Sequence, residues 1–113
     1  MYIYIATKFE QKPLAEFVGY RLGTLGHEVT SRWHSLKEDD SMRDAALRDL
    51  ADIDAADAVL VIDWDIKNGC GMWVEMGYAL GKGKKVFILR SSGRGVFHFL
   101  PQVTAIDNVE DIK

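Results

Sequence analysis

The chain has 113 residues, 48% hydrophobic and 27% charged, a make-up that matches one ordinary soluble globular domain over 1–113 and allows a single core. A formal charge of −3, with no basic cluster longer than Lys84-Lys85, excludes an extended grip on DNA or RNA, so a small molecule is the expected partner. No stretch reaches the length of a membrane span, no signal peptide is visible, and a lone cysteine, Cys70, cannot form an internal disulfide, so no membrane partner and a reducing, cytoplasmic setting are expected.

Residues 2–6 are rich in β-branched and aromatic side chains and read as a first strand, ended by the polar run Thr7 to Lys12. Pro13 suits the first turn of a helix in which Leu14, Phe17, Val18, Leu22 and Leu25 recur at helical spacing, before Gly26 supplies a left-handed cap. A short second strand is expected at 27–33. After the charged stretch 37–40, Ser41 caps a second helix whose expected buried stripe is Met42, Ala46, Leu47, Leu50 and Ile53. Residues 58–62 are apolar throughout, as a central parallel strand covered on both faces requires. A loop over 63–71 leads into a third helix at about 72–80, closed by Gly81 and Gly83. A fourth strand at 85–89, a loop at 91–95 and a last strand near 104–106 complete the chain.

Strands alternating with helices predict right-handed crossovers and therefore an α/β fold: a doubly wound, mainly parallel five-stranded sheet in a flavodoxin-like or Rossmann-like three-layer sandwich. Such sheets bind ligands beyond the carboxyl ends of their strands, at the switch in strand order, which gathers the loops after Ala6, Trp33, Ile62 and Leu89 around one cleft. A chain this small leaves much of its surface exposed, so a cleft shared between copies is expected, and with it a homodimer or higher homo-oligomer.

The most informative segment runs from Gly69 to Val86. A glycine-bearing loop, Gly69-Cys70-Gly71, delivers Glu75 into what reads as the first turn of a helix over the cleft. The helix dipole and free backbone N–H groups there favour an ionised carboxylate, and a partly desolvated carboxylate is a competent nucleophile toward an anomeric carbon. A glutamate that only complements the dipole fits the same position. Glu75-Met76-Gly77-Tyr78-Ala79-Leu80, followed by Gly81-Lys82-Gly83-Lys84-Lys85-Val86, resembles the segment that carries the nucleophile in nucleoside 2-deoxyribosyltransferases and in the related 2′-deoxynucleoside 5′-phosphate N-hydrolases. Ile3-Tyr4-Ile5 is similar to the family's first strand. Asp49-Leu50, placed before Ala56-Asp57, repeats the spacing of the family's aspartate on the preceding helix.

The resemblance implies that Glu75 attacks C1′ to form a glycosyl ester while an acid, Asp49 or Asp63, protonates the departing base, the double displacement of retaining glycosidases. It implies that Tyr4 steadies Glu75 by a hydrogen bond, and that a neighbouring subunit completes the pocket, here with Ser92 and His98. The substrate is then a nucleoside or nucleotide, with no cofactor and no metal, since His34 and His98 lack metal-ligand spacing. Six residues before their glutamate the transferases carry aspartate and the hydrolases serine, whereas this chain has Gly69; Asp63 or Asp65 is the candidate to reach the same space. The first-strand loop, Ala6-Thr7-Lys8-Phe9, lacks the hydrolases' glycine and serine, with Lys8 available to a 5′-phosphate. Thr7, Gly69 and Gly71 belong to the loops that line the expected cleft, and Phe9, Trp33 and Trp64 offer flat rings at strand ends for stacking on a base. Three readings follow: exchange or cleavage of a 2′-deoxynucleoside, hydrolysis of its 5′-monophosphate, and a non-catalytic nucleotide sensor. A flavodoxin-like redox or receiver domain has less support, because Thr7-Lys8-Phe9 stands where a receiver needs acidic residues.

Overall fold

A computed structural model describes residues 1–35, 41–63, 70–89 and 95–113, and of Cys70 the backbone only. Its elements are β1 (Tyr2–Ala6), α1 (Lys12–Thr24), β2 (Glu28–Val29), α2 (Met42–Asp54), β3 (Ala58–Ile62), α3 (Cys70–Gly81), β4 (Lys85–Leu89) and β5 (Val103–Ile106), with short 3₁₀ turns at Phe9–Gln11, Val96–Phe99 and Val109–Asp111. The strands form one five-stranded sheet in the order β2-β1-β3-β4-β5, with every pairing parallel. This is the doubly wound α/β arrangement expected, and its switch point lies between β1 and β3.

The apolar run of β3 lies at the centre, with all five residues buried. Alternation along β1 sends Ile5 toward α1, where a Cβ placed on Gly19 would lie 3.5 Å from Ile5 Cδ1, and Tyr4 toward the opposite face, which α2 and α3 cover. On the α1 side the turn Val109–Asp111 packs against the helix, and Arg21 pairs with Glu110. Both glycine caps form as the sequence predicts. Gly26 (φ 89°) and Gly83 (φ 76°) are left-handed, and His27 N–H donates to Leu22 O and Lys84 N–H to Ala79 O, each at 3.0 Å, closing Schellman turns. Ser41 Oγ accepts from Asp44 N–H at 3.1 Å and caps α2.

Four expectations need correction. The second strand is two residues long instead of spanning 27–33. Beyond Thr30, whose N–H still donates to Ile3 O at 2.9 Å, side chains replace the ladder: Ser31 Oγ accepts from Ile5 N–H (3.1 Å) and Trp33 Nε1 donates to Ile5 O (2.8 Å), so Ile5 is already satisfied. In α1 the buried positions are Ala15, Val18 and Leu22, which leaves Phe17 63% exposed and Leu25 40% exposed, both turned off the stripe. In α2 the expected stripe fails at Met42, Ala46 and Leu47, which are exposed; the helix packs through its later turns, where Ile53 and, unexpectedly, Asp52 are buried and Leu50 is half-buried. Helix α3 begins at Cys70, ahead of the expected 72, and so puts Glu75 in the second turn. Among the described residues no helix is long and apolar enough to cross a membrane.

Candidate active site

Residues Met72, Met76 and Ala79 form the buried stripe of α3, and helical spacing puts Glu75 in the same stripe, one turn after Met72 and one before Ala79. Glu75 therefore faces the sheet, half-buried, and meets a side chain that β1 projects there: the hydroxyl of fully buried Tyr4 donates to Glu75 Oε2. Burial pushes the Glu75 carboxyl up to about 7, the negative charge of Asp49 adds to that rise, and the Tyr4 hydrogen bond works against it. Burial and the facing carboxylate drive the Tyr4 hydroxyl far above its ordinary value, so it keeps its proton and remains a donor. The expected stabilisation of ionised Glu75 by a helix terminus is thus overturned. The second turn is too far from the free N–H groups, and what favours the charge is one phenol.

Asp49 projects from α2 with its side chain 25% exposed, close enough to raise both Tyr4 and Glu75, and Arg48 Nη2 lies 3.3 Å from its Oδ1. Tyr4, Asp49 and Glu75, distant in sequence, are therefore brought together at the switch point by β1, α2 and α3. Asp63 is buried directly after β3. Thr7 ties the two central strand ends: its hydroxyl lies 2.7 Å from Ile62 O and 2.7 Å from the Gln11 amide oxygen. One hydroxyl proton cannot serve two acceptors, so the Gln11 amide is better turned to donate. Lys8 is half-buried at the foot of the 3₁₀ turn, and Phe9 is 52% exposed, with its ring 6.5 Å from that of Trp33.

Other expected site residues stand elsewhere. Trp33 is buried, its indole N–H donating to Ile5 O and its ring edge-on to His34, which leaves little of its face for a base; of the two candidate rings among the described residues Phe9 is the more accessible. His34 is buried against Ser31 Oγ at 2.9 Å, and burial lowers its pKa, which keeps it neutral. Gly71 is the second residue of α3 and has open space where a Cβ would go, so no close approach demands glycine there. His98 accepts Gly95 N–H on Nδ1 at 3.1 Å and sits 5.6 Å from the Trp73 ring, on a face of α3 different from that of Glu75. That face, with Trp73, Leu80, Phe97, Leu100 and Gln102, borders an open apolar cavity of about 750 Å³, whose lining includes neither Tyr4, Asp49 nor Glu75. Trp64, Asp65, Gly69 and Ser92 lie outside the described residues. Among the described residues no group of three His, Cys, Asp or Glu is placed to hold a metal. The sequence reading missed Asp52 and Arg32; an aspartate one residue before the buried Ile53 was the available signal.

The model of the nucleoside 2-deoxyribosyltransferase family matches residues 3–109. The chain belongs to that family. It is thereby an enzyme of the deoxyribosyltransferase or N-glycosidase class. Among solved structures, the 2-deoxyribosyltransferase of Bacillus psychrosaccharolyticus superposes with a TM-score of 0.80 at 23% identity, over 100% of this chain and 93% of that one. The CMP N-glycosidase of Clostridium botulinum superposes with a TM-score of 0.74 at 21% identity, over 94% of this chain and 87% of the other. Both likenesses establish the fold. No curated protein sequence matches the chain.

Proposed function

We propose that this deoxyribosyltransferase-family chain cleaves or exchanges the N-glycosidic bond of a 2′-deoxynucleoside by double displacement. Glu75 is the nucleophile, Tyr4 the group that orients it, and Asp49 the acid that protonates the leaving base. The observation that carries this reading is the Tyr4 hydroxyl donating to a half-buried Glu75 on the sheet face at the switch point. A carboxyl drawn up to about 7 is ionised in a substantial fraction at neutral pH, and the phenol hydrogen bond favours that form. Ionised Glu75 attacks C1′, the base leaves with the proton from Asp49, and the glycosyl ester passes its sugar to water or to a second base. The mutual repulsion of Asp49 and Glu75 is relieved when either one holds a proton, which suits a pair in which one attacks and the other donates.

Thr7, Lys8, Phe9, Asp63 and Gly71 are the proposed substrate contacts, from their places at the ends of β1 and β3 and the start of α3. Hydrolysis of a 5′-monophosphate is the second reading, supported by half-buried Lys8 at the carboxyl end of β1. A homo-oligomer is supported by the cluster Trp73, Val96, Phe97 and Phe99, whose exposure is large for apolar side chains.

Incubation with deoxynucleosides or their 5′-monophosphates, with and without an added free base, tests these readings by chromatography of the bases. Exchange that needs the added base supports transfer; release from monophosphates alone supports hydrolysis. Binding with neither, or base release that persists in Glu75→Gln, defeats the catalytic assignment.

A further inference from the structure

The stretch that follows β2 bridges the two elements that hold Tyr4 and Asp49. Along residues 30–33 the side chains alternate as in a strand. Ser31 and Trp33 take the N–H and the carbonyl of Ile5, which grips β1 at the residue after Tyr4. Thr30 and Arg32 point the other way. Thr30 Oγ1 donates to Asp52 O at 2.8 Å. Arg32 donates to Asp52 Oδ1 from Nε at 3.0 Å and from Nη2 at 2.8 Å, and its backbone N–H reaches Oδ2 at 3.2 Å. Asp52 stands one turn beyond Asp49 on α2, so the grip falls on the same flank of the helix.

This pair differs from an ordinary surface bridge. The Arg32 side chain is 56% exposed, but the Asp52 side chain is only 8% exposed, and a carboxylate so placed needs its partner. The forked guanidinium also fixes direction, which a point charge does not. We infer that Arg32 is a positioning residue for the proposed reaction: through Asp52 it fixes where α2 presents Asp49 to the Tyr4–Glu75 pair, and it balances a second carboxylate behind Tyr4. This rests on the reading of Glu75, Tyr4 and Asp49 given above. The charged and titratable groups concerned are Tyr4 from β1, Arg48, Asp49 and Asp52 from α2, and Arg32 from the stretch after β2. Asp49 and Asp52 both act on Tyr4, and Asp49 acts on Glu75 and on Arg32. Arg32 reaches Glu75 only through Asp49 and Tyr4, the groups that act on it; with the cation gone, Asp49 and Asp52 lose an opposing charge, so Glu75 holds its proton to higher pH.

The test follows the Glu75 carboxyl by carbon NMR across pH, beside kcat and KM for base release, in the full chain and in Arg32→Met, Arg32→Lys and Asp52→Asn. Folding is checked by circular dichroism. In folded Arg32→Met the Glu75 midpoint is expected to rise by about 0.5 pH unit, and kcat to fall more than KM changes. Arg32→Lys should restore the midpoint, and the double variant Arg32→Met with Asp52→Asn should return it toward the parent value. An unmoved midpoint with unchanged kcat in folded Arg32→Met overturns the proposal. Where Arg32→Met does not fold, Asp52→Asn decides: a lowered Glu75 midpoint supports the coupling and an unmoved one overturns it. A parent chain without activity on any nucleoside or nucleotide, yet with a midpoint that follows Arg32, keeps the coupling and removes the catalytic reading. An active parent whose Glu75 ignores Arg32 does the reverse.

Discussion

A glutamate in the apolar stripe of a helix is costly unless a partner answers it, and here the answer is one phenol hydroxyl. The folded value of about 7 lies above the ordinary 4.5, so the stabilising contribution of protonated Glu75 is complete below about 4.5 and is lost as pH rises through 7. Glu75→Gln is therefore expected to leave stability unchanged at pH 4 and to raise it at pH 8 by about 1–3 kcal/mol, read from urea unfolding. Equal effects at both pH values would contradict a buried, titrating carboxyl. Tyr4→Phe removes the group that draws the carboxyl down. The acid limb of kcat/KM should move to higher pH, with a loss of about tenfold at pH 6 and less at pH 9. That Tyr4 meets Glu75 was legible in the sequence, because the resemblance of their two segments implied that hydrogen bond. The sign of the Glu75 shift was not, since it depends on where α3 starts. Met72, Met76 and Ala79 did hold the clue, because helical spacing from them turns Glu75 inward.

At the scale of elements, the parts written in local chemistry were readable: the caps at Ser41, Gly26 and Gly83, and the unbroken apolar run of β3. Gly83→Ala should cost about 1 kcal/mol, because its φ of 76° suits a residue without Cβ; thermal unfolding of that variant against Gly77→Ala, at an open helical position, provides the comparison. What local pattern could not foretell was decided by long-range pairing. Residues 30–33 carry strand-like alternation, but their side chains claim the groups a ladder would have used. The stripe of α2 is broken because Arg32 makes Asp52 a buried residue while Met42 and Leu47 stay in solvent.

For the whole molecule, the alternation of strands and helices was enough to foresee a doubly wound parallel sheet, and strand order then sets the site, since β1 and β3 diverge into helices on opposite faces. The apolar ground beside α3 is the feature that one chain does not use. Sedimentation should show a species heavier than one chain, and Phe97→Lys, a change at a 63% exposed ring, should shift it toward the monomer with little loss of thermal stability; a parent chain that sediments as a monomer would end that expectation. The side chains that satisfy Ile5 have one more effect. A strand flanked by a neighbour of only two residues would ordinarily leave peptide groups free to recruit a foreign chain. With Ser31 and Trp33 already seated on Ile5, that residue has no free peptide group to offer on this flank, and replacing both with alanine would expose it.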